Sequence, residues 1–341
     1  MDKNSNSETH FLALFDKACK EGAIPHKYRE IFLQFYASYK EAFHNASLPI
    51  AQLFPHFSTF LQLVLQEFHT PHLFEPYHKK VRHPFDYYKF GVEFIRPLID
   101  FSHSSALFLE RADEIERHLH AKDNVILIAN HQTEPDPQVI DLLLEKSHPT
   151  LGKRIIYVAG ERVITDPLAI PFSMGCDLLC IYSKRYIDHP PELKADKLRH
   201  NQRTMEQMRH LFAEGGKIVY VAPTGGRDRK NSQGLIEMAP FDPQSLEMMH
   251  LTACRARVPA HFYPLTLATY ELFPPPDTIQ KELGEKRRVK YTPVHLAFGE
   301  EFNMDRFPGS EGKDKREKRA LRAELLWKIV HNNYQKWIYS S

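Results

Sequence analysis

This chain is most informative at the apolar run Val125-Ile126-Leu127-Ile128-Ala129, which is followed directly by Asn130-His131-Gln132-Thr133-Glu134-Pro135-Asp136-Pro137. The apolar run predicts a buried strand. Asp136 and Pro137 predict the N-cap and first position of a helix. We therefore expect His131 on a loop at the carboxyl end of a strand, where open α/β sheets usually place their chemistry.

His131 and Asp136 are candidate catalytic residues. A neutral imidazole that a carboxylate orients can remove a proton from a hydroxyl group, and acyl transfer to an alcohol needs this step. The alternative is that Asp136 is only a helix cap and His131 only a polar loop residue. A His-x4-Asp pair is short enough to occur by chance.

Composition and charge narrow the class of protein. The chain has 341 residues, enough for one large domain or a large and a small one, and 42% are apolar. The formal net charge is +2, from 45 basic and 43 acidic residues. Nucleic-acid binders usually show a strong basic excess, so we expect no nucleic-acid partner.

The cysteines show no metal-binding or redox motif. Cys176 and Cys180 are separated by three residues rather than two, and Cys19 and Cys254 do not form a second pair. We expect reduced thiols, no metal and a cytosolic protein. No apolar run approaches the ~18–20 residues that a membrane helix needs. Neither a signal core nor a good transit peptide is seen at the start of the chain. The expectation is a soluble cytoplasmic protein whose bilayer contact, if any, is peripheral.

The predicted fold class is α/β, with a mostly parallel central sheet, flanking helices and a small helical bundle in front. Apolar residues at helical spacing, interrupted by prolines, predict an N-terminal helical bundle domain over 1–80. Alternating strands and helices predict an α/β catalytic domain over 81–341. The predicted strands lie near 124–129, 154–159, 178–182, 217–222, 261–267 and 289–296. The predicted helices lie near 86–102, 106–121, 190–214, 242–255 and 313–338.

Pro223-Thr224-Gly225-Gly226-Arg227-Asp228-Arg229 follows one of these strands. Arg227 and Arg229 are two positions apart, so both point the same way in an extended loop. Two guanidinium groups on one side suit a phosphate. Asp228 would point away or brace the arginines. The alternative is a polar surface turn.

Lys184 and Arg185 form a second basic cluster, after the strand that ends at Tyr182. A solvated charged loop is the usual interpretation of such a run. However, three predicted strands all lead into charged loops at their carboxyl ends, which favours a cleft with one base and several phosphate-binding groups. Glu134 either faces solvent or braces a basic residue. The basic run 286–290 is either a solvated hairpin or a docking surface for an acidic partner.

The chain resembles the glycerol-3-phosphate acyltransferase family, in the soluble form of chloroplasts and some bacteria. The similarity covers about residues 75–300, and the first ~70 residues match only in their helical character. It is carried in order by Phe85–Gly91, Ile95–Leu98, Asn130–Pro137, Tyr157–Gly160, Pro171–Gly175, Tyr182–Lys184, Ala222–Arg229, Pro274–Pro276 and Gly284–Arg287.

The resemblance implies a helical N-terminal domain and a larger α/β domain that holds the site. It implies transfer of a fatty acyl group to the 1-hydroxyl of glycerol 3-phosphate, from acyl carrier protein or coenzyme A as co-substrate and without a cofactor. His131 matches the general base and Asp136 its partner. Arg227 and Arg229 match phosphate-binding arginines.

Two neighbouring positions complete the implied phosphate site. Arg185 falls on a phosphate-binding lysine position, beside Lys184. Tyr186 departs from the histidine that is frequent there, although a phenol also donates a hydrogen bond. The resemblance, with no transit peptide seen, suggests a bacterial member or a processed plant chain of the plastid stroma.

Two other functions stay open from the sequence. An acyltransferase that acts on 1-acyl-glycerol 3-phosphate would share the base and the arginines, and would need room for an acceptor chain. A non-catalytic module that binds phospholipid or acyl carrier protein would retain the His-Asp pair as a vestige. Intact His131 and Asp136 count against the module.

Overall fold

The computed structural model describes residues 3–184, 186–276 and 283–338. It confirms the predicted fold class: a mostly parallel sheet with flanking helices follows an N-terminal helical region. The helices are α1 (Lys3–Lys20), α2 (His26–Asn45), α3 (Leu53–His69), α4 (Tyr87–Ile95), α5 (Leu109–His120), α6 (Asp136–Leu144), α7 (Arg162–Thr165), α8 (Ile170–Ser173), α9 (Lys194–Glu214), α10 (Pro243–Arg255) and α11 (Lys315–Ile338).

Eight strands form the main sheet in the order β1-β5-β4-β6-β3-β9-β10-β2, and β7 and β8 form a separate hairpin. The strands are β1 (Tyr77–His78), β2 (Ser105–Leu107), β3 (Asn124–Ala129), β4 (Ile155–Gly160), β5 (Asp177–Ile181), β6 (Ile218–Val221), β7 (Arg229–Lys230), β8 (Ile236–Glu237), β9 (Ala260–Ala268) and β10 (His295–Phe298). The five central strands β5, β4, β6, β3 and β9 run parallel, so their carboxyl ends meet at one edge.

Strand β3 lies at the centre of this sheet and is buried along its whole length. Successive side chains of a strand point to opposite faces. Ile126 and Ile128 therefore pack in the core formed with α9, α10 and α11. Val125 and Leu127 pack in the core on the other face, which includes side chains of α1–α6 and α8. Burial on both faces explains why the sequence of this strand is a continuous apolar run.

The N-terminal helices share that second core with the sheet. Phe35 of α2 and Phe60 of α3 pack against Phe94 of α4, with ring centroids 5.9 Å and 5.6 Å apart. The Tyr39 hydroxyl donates to the carbonyl oxygen of Phe94 over 2.6 Å. The division into domains 1–80 and 81–341 stays a prediction, and the two parts bury apolar side chains together.

Three predicted elements differ from the structure. The strand expected over 289–296 begins only at His295, two residues after Pro293, which has no N–H to donate to a neighbouring strand. The helix expected over 86–102 ends at Ile95, and a single turn of 3-10 helix containing Pro97 follows. The helix expected over 106–121 begins at Leu109, because residues 105–107 pair with β10 as an edge strand.

The sequence also predicts that helix α11 is packed by Leu321, Leu325, Trp327 and Ile329. All four are partly buried against the core formed with α9 and α10, beside the fully buried apolar residues Ala323, Leu326, Val330 and Tyr334. Within the described ranges, every helix is either too short or too polar to cross a bilayer.

Candidate active site

A cavity of about 1220 Å³ opens at the carboxyl ends of β3, β4, β5 and β6. His131 lines it from the loop after β3, Glu161 from the loop after β4, and Tyr186 from the loop after β5. Arg227 and Arg229 line it from the loop after β6. Two of the three charged loops predicted to meet in one cleft, those after β3 and β6, line this cavity with charged side chains, and the loop after β5 contributes Tyr186.

His131 and Asp136 are hydrogen-bonded inside this cavity. Nδ1 of His131 lies 2.8 Å from Oδ2 of Asp136, whose side chain is 1% exposed. Burial opposes ionisation of Asp136, but hydrogen bonds from His131 and Thr269 and the charge of His131 hold its pKa below the ordinary value. The carboxylate is therefore an acceptor, Nδ1 donates to it, and Nε2 is left to accept a proton.

Asp136 is not the helix cap that the sequence suggested. Helix α6 begins at Asp136 itself, and the residue before it, Pro135, occupies the N-cap position. The Asp136 carboxylate turns back to the preceding loop, where Oδ2 accepts from the backbone N–H groups of Gln132 (3.0 Å) and Thr133 (3.3 Å). The carboxylate thus stabilises the loop that carries His131.

Thr269 is a site residue that the sequence analysis missed. Its hydroxyl donates to Oδ1 of Asp136 over 2.6 Å, beside the hydroxyl of Thr133 at 2.8 Å. The Gln132 side-chain oxygen accepts from the backbone N–H groups of Thr269 and Tyr270. Thr269 directly follows β9, so the rule that parallel strands end at one edge would have found it.

Asp228 joins the loop after β6 to the loop after β3. Its side chain is buried, and Oδ2 accepts from the amide groups of Asn130 and Gln132 at 3.2 Å each. Its backbone N–H donates to the carbonyl oxygen of His131 over 2.7 Å. Oδ1 is buried without a hydrogen-bond partner among the described residues. Burial raises the pKa of Asp228 to about 6, against the lowering effect of the two amides.

The two arginines of this loop flank Asp228 and reach the cavity. Gly225 adopts a positive φ of 65°, which favours glycine and makes the turn after β6. Arg227 forms an ion pair in which Nη2 lies 2.5 Å from both carboxylate oxygens of Glu285. The Arg229 guanidinium donates to the backbone carbonyl of Pro276. Glu285 and the backbone carbonyl of Pro276 therefore position the two arginine side chains.

The three other predicted phosphate-binding residues are Tyr186, Lys184 and Arg185. Tyr186 lines the cavity, and the Arg162 guanidinium lies 5.6 Å from its ring centroid. Lys184 is 62% exposed, and its ammonium donates to Asp242 (2.6 Å) and Gln244 (2.9 Å), so the structure does not bring it to the two arginines. Arg185 lies outside the described residues.

Glu134 braces a basic residue, one of the two roles the sequence left open for it. The partner is Arg287, which is 2% exposed and donates to Glu134 (3.1 Å) and Asp166 (3.3 Å). Burial raises the pKa of Glu134, although the charges of Arg287 and Arg227 oppose this shift. Lys286 and Arg288 on either side of Arg287 are exposed, so the basic run is not uniformly solvated.

The site therefore combines a proton acceptor with fixed cations in one cavity. Nε2 of His131 can accept a proton from a hydroxyl group, and Asp136 can stabilise the resulting imidazolium. Arg227 and Arg229 offer guanidinium donors that suit an anionic group such as a phosphate. The arrangement is suited to activating the hydroxyl group of an anionic acceptor.

Comparison with known proteins agrees with this chemistry. The acyltransferase family model matches residues 110–268, which include the loops after β3, β4, β5 and β6. The chain is similar to "Glycerol-3-phosphate acyltransferase, chloroplastic" of Arabidopsis thaliana, with 37% identity over 335 residues, or 97% of this chain and 73% of that protein.

Two further relatives cover the chain to the same extent. "Glycerol-3-phosphate acyltransferase ATS11, chloroplastic" of Cucurbita moschata is 37% identical over 331 residues, 96% of this chain and 74% of that protein. "Glycerol-3-phosphate acyltransferase, chloroplastic" of Spinacia oleracea is 36% identical over 336 residues, 97% of this chain and 71% of that protein. Similarity of this extent is carried by the whole fold rather than by one motif, and the chain belongs to the glycerol-3-phosphate acyltransferase family.

Proposed function

We propose that this protein transfers a fatty acyl group from a thioester donor to the 1-hydroxyl of sn-glycerol 3-phosphate, which forms lysophosphatidic acid, the first step of phospholipid synthesis. The observation that carries the proposal is the joint placement of the His131–Asp136 pair and the two arginines in one cavity. Family membership supports the same acceptor and reaction.

In the proposed reaction, Nε2 of His131 removes the proton of the 1-hydroxyl as its oxygen attacks the thioester carbonyl carbon. The new carbon–oxygen bond forms, and the carbon–sulfur bond then breaks. The thiolate leaves and takes the proton back from the imidazolium, so His131 returns to its starting state. Asp136 keeps Nδ1 protonated and stabilises the imidazolium while it exists.

Arg227 and Arg229 bind the phosphate of the acceptor in this proposal, with Tyr186, Arg185 and Lys184 as further donors. Loss of such a contact removes binding that is common to the ground state and the transition state. The KM for glycerol 3-phosphate should then rise more than kcat falls. Lys184 would first have to leave Asp242 and Gln244.

The acyl donor is proposed to be acyl carrier protein or coenzyme A carrying the fatty acid. At about 1220 Å³ the cavity exceeds the ~300–1,000 Å³ of common small-molecule sites, which leaves room for an acyl chain beside a small acceptor. Apolar side chains on the β4–β5 side of the cavity suit the chain, among them Phe172, Leu178, Ile181 and Leu193. We further propose an aqueous location, cytoplasm or plastid stroma, with peripheral bilayer contact.

The test is acyl transfer to labelled glycerol 3-phosphate, with both thioester donors offered side by side. We expect lysophosphatidic acid from the wild type and a loss of ~10²–10⁴ in rate for His131→Ala. His103→Ala is a matched control, because His103 also lies 2.7 Å from an aspartate but is exposed and outside the cavity. Absence of product with either donor would overturn the proposal, and 1-acyl-glycerol 3-phosphate would be offered next.

A second measurement separates the roles of the base and the arginines. Arg229→Ala should raise the KM for glycerol 3-phosphate by about tenfold or more, as expected for a charge-assisted hydrogen bond worth ~1.5–3 kcal/mol. An equal loss of kcat at unchanged KM would contradict phosphate binding by Arg229.

A further inference from the structure

We propose that His118, Asp123 and His261 form a binding site for a divalent transition-metal ion of the zinc type. Each residue offers one ligand atom, and these atoms lie within 4.8 Å of one another. His118 is in the last turn of α5, Asp123 directly precedes β3, and His261 is the second residue of β9. The cluster therefore lies at the amino ends of β3 and β9, at the opposite edge of the sheet from the catalytic cavity.

The distances in the cluster suit a tetrahedral ion. Oδ2 of Asp123 lies 3.3 Å from Nε2 of His261 and 3.9 Å from Nδ1 of His118. Zinc binds imidazole nitrogen and carboxylate oxygen at ~2.0–2.2 Å, which places neighbouring tetrahedral ligands about 3.3–3.5 Å apart. Rotation of the side chains, including one of the two imidazole rings, would bring the three atoms to an ion, and a water molecule would complete the shell.

The orientation of His261 supports a ligand role. Its Nδ1 lies 2.8 Å from a carboxylate oxygen of Glu301, and its Nε2 lies 3.3 Å from Oδ2 of Asp123. In the tautomer that donates from Nδ1 to Glu301, the lone pair of Nε2 points toward Asp123 and can bind a cation there. A second carboxylate that fixes the tautomer of a ligating histidine is common around zinc.

The carboxylate of Asp123 lies within 4 Å of a nitrogen of each histidine, so it is the ligand that links the two rings. The ring of His118 stacks on that of His261 with centroids 3.5 Å apart and an interplanar angle of 20°. Because the lone pair of an imidazole nitrogen lies in the plane of its ring, one of the two rings must turn before both can bind the same ion.

The backbone around the cluster is held by the fold. The Asp123 N–H donates to the carbonyl oxygen of His118 over 2.9 Å, and the Asn124 N–H donates to that of Pro259 over 2.8 Å. The three side chains are 27%, 23% and 19% exposed in chain order, so an ion can reach them from solvent. A bound ion would join α5 to the starts of two central strands, which predicts a gain in stability rather than in turnover.

The sequence motifs gave no sign of this site, because His261 lies far along the chain from the other two residues. Hard cations provide a chemical control. Magnesium prefers oxygen ligands in an octahedral shell, whereas imidazole favours zinc, cobalt, nickel and copper. A site with two histidines should therefore select zinc over magnesium.

In the experiment, the chelator-treated full chain is titrated with Zn²⁺ in a calorimeter to measure binding. Thermal unfolding with and without Zn²⁺ then measures the change in Tm. We expect one Zn²⁺ per chain whose dissociation constant rises at least tenfold in His118→Ala and Asp123→Asn, with loss of the zinc-induced rise in Tm. His103→Ala should bind as the wild type does. Mg²⁺ in tenfold excess should not compete. Co²⁺ should give the visible ligand-field bands of a tetrahedral site in the wild type and in His103→Ala, but not in His118→Ala or Asp123→Asn.

Two results would overturn the proposal. One is unchanged zinc affinity and stoichiometry in both His118→Ala and Asp123→Asn. The other is equal binding of Mg²⁺, which would show that the imidazoles are not ligands. Asp123→Asn preserves the size of the side chain, so it keeps the test valid if His118→Ala does not fold.

Discussion

The hydroxyl of Thr269 donates to Oδ1 of Asp136 over 2.6 Å, although the two residues follow different strands, β9 and β3. The other oxygen of the same carboxylate holds His131 and two backbone N–H groups. Asp136 is therefore fixed from both sides before substrate binds. A partner with a fixed position can orient the imidazole at no further cost in ordering.

Replacement of Thr269 by valine should lower kcat with little change in KM. Valine has the same shape but cannot donate, so one charge-assisted hydrogen bond to Asp136 is lost, which is worth ~1.5–3 kcal/mol. We expect kcat to fall about tenfold or more. Thr266→Val is the control, because Thr266 is buried on β9, three residues before Thr269, and donates to the carbonyl oxygen of Val330 instead. An equal effect of both substitutions would show that Thr269 acts only through packing.

Replacement of Asp136 by asparagine should reduce kcat by about 10⁴, as is typical when the histidine of such a pair is held in the wrong tautomer. The amide has no charge to stabilise the imidazolium. The KM for glycerol 3-phosphate should change little, since Asp136 is buried against His131 and is not one of the proposed phosphate-binding residues. Steady-state kinetics on folded protein decides this, and a loss of less than tenfold would assign His131 a role other than that of a base.

Replacement of Arg287 by methionine should destabilise the fold by ~3–5 kcal/mol, because Glu134 and Asp166 would be left as buried charges without their partner. The matched control is Lys286→Met at the exposed neighbouring position. Urea unfolding measures both. Addition of Glu134→Gln to Arg287→Met should recover part of the loss, and no recovery would mean that the charges are not coupled.

The pH dependence of stability should report Asp228. Its pKa in the folded protein, about 6, lies above the ordinary value of 3.8, so the folded state binds the extra proton between about pH 4 and pH 6. Stability must then fall as pH rises through that window. Asp228→Asn carries no titratable group there, so its Tm should fall less than that of the wild type between pH 4 and pH 6. An equal change of Tm with pH in the wild type and in Asp228→Asn would contradict the raised pKa of Asp228.

The central sheet could be predicted because its signals are local. Val125-Ile126-Leu127-Ile128-Ala129 is an unbroken apolar run, and a strand that is buried on both faces needs such a run. The loops that carry His131, Tyr186 and Arg227 directly follow strands. Because the carboxyl ends of parallel strands meet at one edge of a sheet, these loops were predicted to lie together. Element ends were less predictable, as at β10, which begins only after Pro293, and at α5, which begins after the edge strand β2.

The partners of the site residues could not be predicted, because they depend on contacts between distant parts of the chain. Glu285 on Arg227, Arg287 on Glu134 and Thr269 on Asp136 all join segments that share no local pattern. Asp136 shows the limit of local rules, since its sequence position predicted both a helix cap and a partner of His131, and the folded chain shows the contact with His131. Only the folded chain determines which of several local partners a carboxylate takes.

The order of the strands has a consequence for how the enzyme becomes active as it is made. Val125 of β3 pairs with Ile218 of β6 on one side and with His261 of β9 on the other. His131 therefore emerges from the ribosome long before the strands that flank it and before Thr269, which steadies its partner. Closing such long loops is slow compared with forming local contacts. A nascent chain that stops before β9 would carry the His-Asp motif but not Thr269, which fixes the carboxylate of Asp136 beside His131.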